Sequence, residues 1–491
     1  MIFDNGSGRL KFVGKTCFIK CFKANIWLAI GWLIGISVGA DVLGPFNDTV
    51  TLAATPSERS EWFGPLFHRV EEGTATGWTL SPVISYRNQP DLDREEFDFG
   101  YPVFSYSRFG DEYRYQFLQL LAWSGGSDQT NQITKKFSLF PLIFTSRSTD
   151  PEHHYTAIGP FYGTIKHRLM RDRIEFKMFP IYSKTSKNDV ITRNYFYPLV
   201  HLREGNQLQG WQVWPFYGEE EKEITVVTNR FGAAEQVPGH ERQFALWPFW
   251  SRSVEGIGTT NEVRQQLILP FYNSVRSSAR DSTSVLLPFG PTWTTQKEKG
   301  YFEFGFPWPL IGYARGEGKH MDRITPLFSR VSTPNARSDF YLWPLYKFNS
   351  VHSPPLDRKR TRIGLFLYSD LTQSNTETGQ TFHRRDLWPL FSKREEMNGN
   401  ERLQILALLE PLVPENRRVE RVYAPAYSLW TSEKNAATQE SCRSMLWNFY
   451  TVEQGPESKK VSLLFGLFRY ERVGDRGNCR LFSIPLAWSQ R

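Results

Sequence analysis

A short apolar–Pro–apolar–aromatic motif recurs along nearly the whole chain, and a period of this kind restricts the fold more than any other feature of the sequence. It reads Gly64-Pro65-Leu66-Phe67, Ser81-Pro82-Val83-Ile84, Tyr101-Pro102-Val103-Phe104 and Phe140-Pro141-Leu142-Ile143. It returns at Pro160, Pro180, Pro198, Pro215, Pro248, Pro270, Pro288, Pro309, Pro326, Pro344, Pro389, Pro411, Pro425 and Pro485. Near Leu121, Phe366, Asn448 and Gly466 the pattern persists without the proline, which makes about 22 units of roughly 20 residues each. Between the units lie Gly, Asn, Asp and Pro clusters such as Met397-Asn398-Gly399-Asn400 and Gly455-Pro456. Apolar runs bounded in this way are strand-and-turn chemistry. Turns this short join antiparallel neighbours, because parallel strands need long crossovers.

Each unit therefore reads as one strand and one turn, for example 384–396, 401–414, 419–434, 442–454 and 460–473. The expected fold is all-β: an up-and-down antiparallel meander of about 22 strands. Aligned on the proline, the following two positions are apolar and point to opposite faces. Leu463, Phe465 and Leu467 would lie on one face, with Leu464, Phe468 and Tyr470 on the other. Both faces are then apolar at mid-strand. A proline there donates no ladder hydrogen bond, so a bulge or bend is expected in every unit. Closure as a large β-barrel would remove exposed edges; the alternatives are a β-propeller or an open two-faced sheet.

The aromatic content of 15% excludes a disordered chain. A mean hydropathy of −0.45 argues against a helical membrane protein. Arg9, Lys11, Lys15, Lys20 and Lys23 precede an uncharged apolar stretch, 24–40, that closes on Val38-Gly39-Ala40. That order matches a secretory signal peptide over 1–40, with an N-terminal membrane anchor as the alternative. Residues 41–59 read as a linker and 60–491 as a single repeat-built β domain with an insertion at 219–242. Removing 1–40 lowers the formal charge from +8 to +4, since five bases and one acid go. The basic run Arg358, Lys359, Arg360 and Arg362 reads as a loop, and no nucleic-acid partner is expected.

Over 60–489 the strand-and-turn spacing, the even strand number, the aromatics and the export signal resemble the bacterial outer-membrane β-barrel class. The resemblance implies an outer-membrane location, lipid contact, and passage through export and barrel-assembly machinery. The chain departs from that class in lacking a clean apolar/polar alternation.

Catalytic signatures are sparse. Gly316-Glu317-Gly318-Lys319-His320 fails the phosphate-loop spacing, because Tyr313 stands where the leading glycine is required. It reads as a hairpin turn. His153-His154 beside Glu152 reads as a solvated pair, since adjacent strand residues diverge. Glu219-Glu220-Glu221 and Glu395-Glu396 read as turn carboxylates. Cys442 and Cys479 open strands two apart, about 9.5 Å from each other, too far for a disulfide. No catalytic, cofactor-binding or metal residues are expected, and no cofactor. The leading expectation is a non-enzymatic, exported, outer-membrane barrel, structural or a conduit for an amphipathic molecule. The alternative is a soluble exported β-scaffold, periplasmic or extracellular, that binds a small molecule or carbohydrate. Trp214, Trp247, Trp250, Trp343 and Trp388 are read as mid-strand packing residues rather than a sugar platform.

Overall fold

In most repeats the motif proline occupies a turn rather than the middle of a strand; Pro425 lies in a helix, and Pro485 lies on the short strand Ile484–Leu486, opposite Arg480. Leu80-Ser81-Pro82-Val83 shows the geometry: Val83 N donates to Leu80 O at 2.8 Å, with the proline third and its peptide bond cis. The same closing bond runs from Leu199 N to Phe196 O at 2.8 Å and from Leu345 N to Leu342 O at 2.7 Å. These are type VI turns. The expected mid-strand bulge is thus corrected. Proline's missing N–H is harmless in a turn and costly in a ladder, and the chain follows that preference.

The computed structural model describes residues 48–53, 57–62, 64–127, 133–228, 232, 234–481 and 484–486. The expected signal segment 1–40 lies outside them. One repeat contains two strands, not one, so the expected 22 strands become a 43-stranded sheet and a separate two-stranded one. The run 460–473, expected as a single strand, is Ser458–Leu463, a turn, and Phe468–Val473. Most strands have five to seven residues, and the longest have eight. Consecutive strands of the main sheet pair antiparallel, from β1 (Asp48–Leu52) to β45 (Ile484–Leu486). A propeller of four-stranded blades is excluded by this single continuous meander.

Other boundaries shift as well. The sheet already begins at Asp48, inside the segment expected to be a linker. Within 219–242, residues Tyr217–Lys222 and Gly239–Ala245 belong to the main sheet. Only Thr225–Thr228 and Ala234–Val237 form the inserted hairpin. The units at Pro411 and Pro425 are not strands. Helix α1 (Arg417–Tyr427) fills this place, started by Asn416, whose side chain accepts from Arg418 N and Val419 N at 3.1 Å. Val422 and Ala424 are its buried residues, a spacing that helix packing sets.

Two kinds of turn alternate. At the end opposite the prolines, Asn188-Asp189 and Asn206-Gln207 both hold positive φ at each residue, the type I′ geometry of two-residue hairpins. A meander with alternating turns gathers the motif-proline turns on one long edge and the other hairpin turns on the opposite one.

Register is equally regular. The row Ser85, Asp98, Ser105, Gln116, Ala122, Ser138, Phe144, Ala157 and Gly163 passes directly from strand to strand. It continues to Ser392, Gln404, Thr431, Ser444, Thr451, Ser462 and Arg469. The row stays beside the proline edge throughout; the register shift at Gly239/His240 lies at the far end of its strand and leaves the row, which passes there through Phe244 and Ser251, intact. Small residues dominate it for a steric reason: a Cβ on Gly163 would lie 2.2 Å from Ala157 Cα.

A row at constant height means that the strands accumulate no stagger. Closed barrels need stagger and strand tilts of roughly 35–45°. Among the described residues no ladder joins β1 to β45, and the two ends meet by their faces instead. Asp48 accepts from Ser462 Oγ at 2.8 Å and pairs with Arg469, while Glu61 accepts from Asn448. Val50 and Ala53 pack with Cys442. Row residues of one end therefore contact row residues of the other, a local two-layer sandwich.

Candidate functional site

Burial in this protein is inverted. Among the described residues sixteen buried side chains are apolar and thirty-four are polar or charged, while large hydrophobics are widely exposed. The exposed ones concentrate where the proline turns are. The residue after proline is exposed in turn after turn: Leu66, Val83, Val103, Leu142, Phe161, Ile181, Leu199, Phe216, Phe249, Phe271, Phe289, Leu327, Leu345 and Leu390. Trp247 and Trp343, expected at mid-strand, stand in these turns at 51% and 56% exposure. Trp214 and Trp388 are turn residues too, and Trp250 opens a strand. The result is an apolar rim along one edge.

The rim's backbone is paired internally. Besides the closing bond in each turn, successive turns are bonded to each other. Gly100 N donates to Val83 O at 2.6 Å, Trp247 N to Pro215 O at 2.7 Å, Trp343 N to Pro326 O at 2.8 Å and Trp388 N to Leu367 O at 2.8 Å. Proline has no N–H to satisfy. An edge whose donors are bonded can leave water at far lower cost than an open strand edge.

Behind the rim, the ends of the ribbon are held by buried charge. Glu96 lies between Arg94 at 2.6 Å, Arg418 at 2.7 Å and Arg421 at 3.3 Å, the last two from α1. Burial raises the Glu96 pKa, but bonding and charge from Arg418, then Arg94 and Arg421, outweigh it and hold the group down at about 2. Asp98, 3.6 Å from Arg418, is pushed up by burial despite the nearby arginines. Glu420 on the same helix meets Arg402 at 2.6 Å and Arg394 at 3.2 Å; burial opposes its charge, and those arginines bring it to about 2.

Next to this clamp the inner face of the sheet forms a cleft of about 850 Å³. Its lining includes Arg114, Ser124, Lys136, Ser146, Lys166 and Arg168, with Arg418 and Glu96 from the clamp. Ser107, Arg114, Ser124, Lys136 and Ser146 form one row, alternating hydroxyl and cation. The Arg168 guanidinium sits 5.0 Å from the Phe144 ring centre, and Lys166 donates to Pro151 O at 3.2 Å.

The residues singled out from sequence are dispersed. His153 ends a 3-10 turn at the cleft, bonded to Asp150 at 3.0 Å, its ring 5.2 Å from that of His167. His154 turns away to Arg147 at 2.8 Å. Among the described residues no three His, Cys, Asp or Glu side chains gather in a way that could hold a metal. Residues 317–319 form a hairpin turn between Ile311–Gly316 and His320–Ile324. Arg358, Lys359, Arg360 and Arg362, expected in a loop, lie within the strand Leu356–Ile363, because the adjacent Pro354-Pro355 forms the turn. Glu219-Glu220-Glu221, expected in a turn, lie on Tyr217–Lys222; Glu220 pairs there with Arg203, with Arg242 at 3.4 Å and with His240 at 2.7 Å. Glu395 ends the strand Phe391–Glu395, and Glu396 follows it to pair with Arg394 at 2.9 Å. Cys442 is buried and Cys479 half-buried, and both are free. They lie four strands apart in the meander, on Ser441–Met445 and Arg476–Leu481.

Sequence reasoning missed the cleft. Its signal was available only after register: strand cations at Arg114 and Lys136 become neighbours once Ser124 is seen to lie between them. Compared with models of known families and with curated proteins, the sequence matches none.

Proposed function

We propose that this chain is a non-catalytic, exported, membrane-associated ribbon that seats its apolar rim in one lipid leaflet, at the outer membrane, and supports or conducts an amphipathic molecule. The observation that carries this reading is the rim: exposed Leu, Phe and Trp at successive turns, with the backbone donors bonded turn to turn. Water offers no reason to expose so much apolar surface on one edge, and contiguous patches of this kind mark membrane or protein contact. Lipid is favoured because the apolar surface follows a whole edge rather than a bounded patch.

Dimensions support insertion to one leaflet rather than a full crossing. Spanning strands need about 9–11 residues, and the longest described strands have eight. Charge also sets in a few residues behind the rim. The closure expected from sequence is proposed here as an overlap of sheet ends, held by Asp48–Arg469 and by Arg418 and Arg421 on Glu96.

Bromine-labelled lipids test the reading. Trp247 and Trp343 lie on the rim, so phosphatidylcholine vesicles brominated near the acyl-chain top should quench the fluorescence, and the quenched signal should fall when both are replaced by phenylalanine and fall further when Trp214 and Trp388 are replaced as well. No quenching in the unsubstituted protein, or a quenched signal undiminished in the fourfold variant, refutes insertion by this edge.

A further inference from the structure

The cleft beside the clamp is built for a group of high negative charge. Seven of its lining residues are Lys or Arg and two are Glu. Some of that charge is already matched: Arg94 and Arg418 by Glu96, and Arg108 by Asp93 at 3.0 Å. Arg114 and Lys136 have no ion-pair partner among the described residues, and both are exposed to the cleft. They are two strands apart, about 9.6 Å at the backbone, with the Ser124 hydroxyl between them. Side chains of their length converge readily across that gap.

Ser146 supplies an independent observation. It lies beside Lys136 in the same row and lines the cleft. It is 0% exposed, and its Oγ has no hydrogen-bond partner among the described residues. Burying a hydroxyl without a partner is costly. A hydroxyl held next to an unmatched lysine in a cleft is suited to donate to an acceptor oxygen brought by a ligand. Two cations and several hydroxyls in one row match the tetrahedral oxygens of phosphate, where charge-assisted bonds are strongest.

Height relative to the rim selects the class further. Arg114 is four residues from exposed Leu118, and Lys136 four from exposed Phe140. That is about 13 Å along the strand, close to the ~15 Å half-thickness of a bilayer's hydrocarbon core. With the rim in a leaflet, the cations stand at headgroup level.

We propose that this cleft binds a phosphomonoester or pyrophosphate group carried by an amphiphile, with Arg114 and Lys136 as the charge partners and Ser124 and Ser146 as hydroxyl donors. The proposal rests on the membrane reading above for the amphiphile, and on the cleft alone for the phosphate. Lipid phosphate and free phosphate share the recognised chemistry, and two probes separate them.

The test is calorimetric titration of the full chain with sodium pyrophosphate and with dihexanoyl phosphatidic acid below its micellar concentration. Dihexanoyl phosphatidylcholine is the uncharged-balance comparator. Phosphatidic acid is expected to bind at least tenfold more tightly than phosphatidylcholine. R114Q/K136Q should weaken both anions at least tenfold, the single variants and S146A each about threefold, and R358Q/K359Q on a distant strand not at all. Tighter binding of phosphatidic acid than of pyrophosphate assigns the ligand to lipid, and the reverse assigns it to free phosphate and removes the amphiphile from the proposal. Unchanged anion binding in R114Q/K136Q and in both single variants, or an equal loss in R358Q/K359Q, overturns the site. Loss of rim quenching with pyrophosphate binding intact would fail the membrane reading while leaving the phosphate site standing.

Discussion

Phe216, Phe249, Phe271 and Phe289 sit after proline in four consecutive turns of the rim and are 63%, 58%, 61% and 59% exposed. Fully burying a side chain of this kind is worth about 1.5–3 kcal/mol, so transfer of the exposed part into lipid contributes about 1 kcal/mol for each. Replacing all four by serine removes about 4 kcal/mol of that contribution. Since 1.4 kcal/mol is a factor of ten, vesicle partitioning should fall by about three orders of magnitude. Because the rings are exposed in the folded chain, the same variant should lose little stability, within about 0.5 kcal/mol per site. The assay is flotation with neutral phosphatidylcholine vesicles on a density gradient, beside a urea titration that reports folding. Neutral lipid keeps the cationic cleft out of the measurement. A variant that floats as well as the unsubstituted protein while folding normally would refute lipid seating by this edge, and a variant that no longer folds would show that these rings carry stability instead.

Further expectations concern the ends of the ribbon and the row. Arg418→Ala removes the ion pair of Asp98 and one of those of Glu96; breaking a buried pair costs about 3–5 kcal/mol, and the remaining Arg94 and Arg421 contacts reduce this to about 2 kcal/mol. Cys442 reports the same opening: burial pushes its thiol up to about 12, so it should resist alkylation at pH 8 and become labelled markedly faster in R418A, as mapped by mass spectrometry. Glu420, held at about 2 against 4.5 unfolded, contributes stability above pH 4.5 that is lost as pH falls toward 2. Urea midpoints measured from pH 6 to pH 2.5 should therefore fall less steeply in Glu420→Gln, and parallel curves would contradict the assignment. Gly163→Val places a branched side chain where even a Cβ lies 2.2 Å from Ala157 Cα. Overpacking of this kind costs about 1–3 kcal/mol, and an unchanged thermal midpoint would show that the row does not demand small residues there.

An all-β antiparallel meander and its repeat are legible in the amino-acid order alone. Those follow from local chemistry: period, turn residues and strand propensity act over a few residues. Sequence reasoning misplaced the proline, because a cluster such as Trp343-Pro344-Leu345-Tyr346 has the composition of a buried strand. Only the tertiary structure shows Leu345 and Trp343 exposed in a turn. The strand number doubled for the same reason. The helix at 417–427 interrupts the strand pattern that Pro411 before it and Pro425 within it continue, since Asn416 capping and the burial of Val422 and Ala424 outweigh the repeat. Contacts between distant segments left no trace in spacing: Glu96 and Arg418 are 322 residues apart. The cleft is intermediate. Its residues are ordinary strand charges until register sets Arg114, Ser124, Lys136 and Ser146 side by side, and the curl of the sheet makes that row the wall of a cavity. Local propensities specify each hairpin, but the path of forty-three strands in space is decided by how their two ends meet.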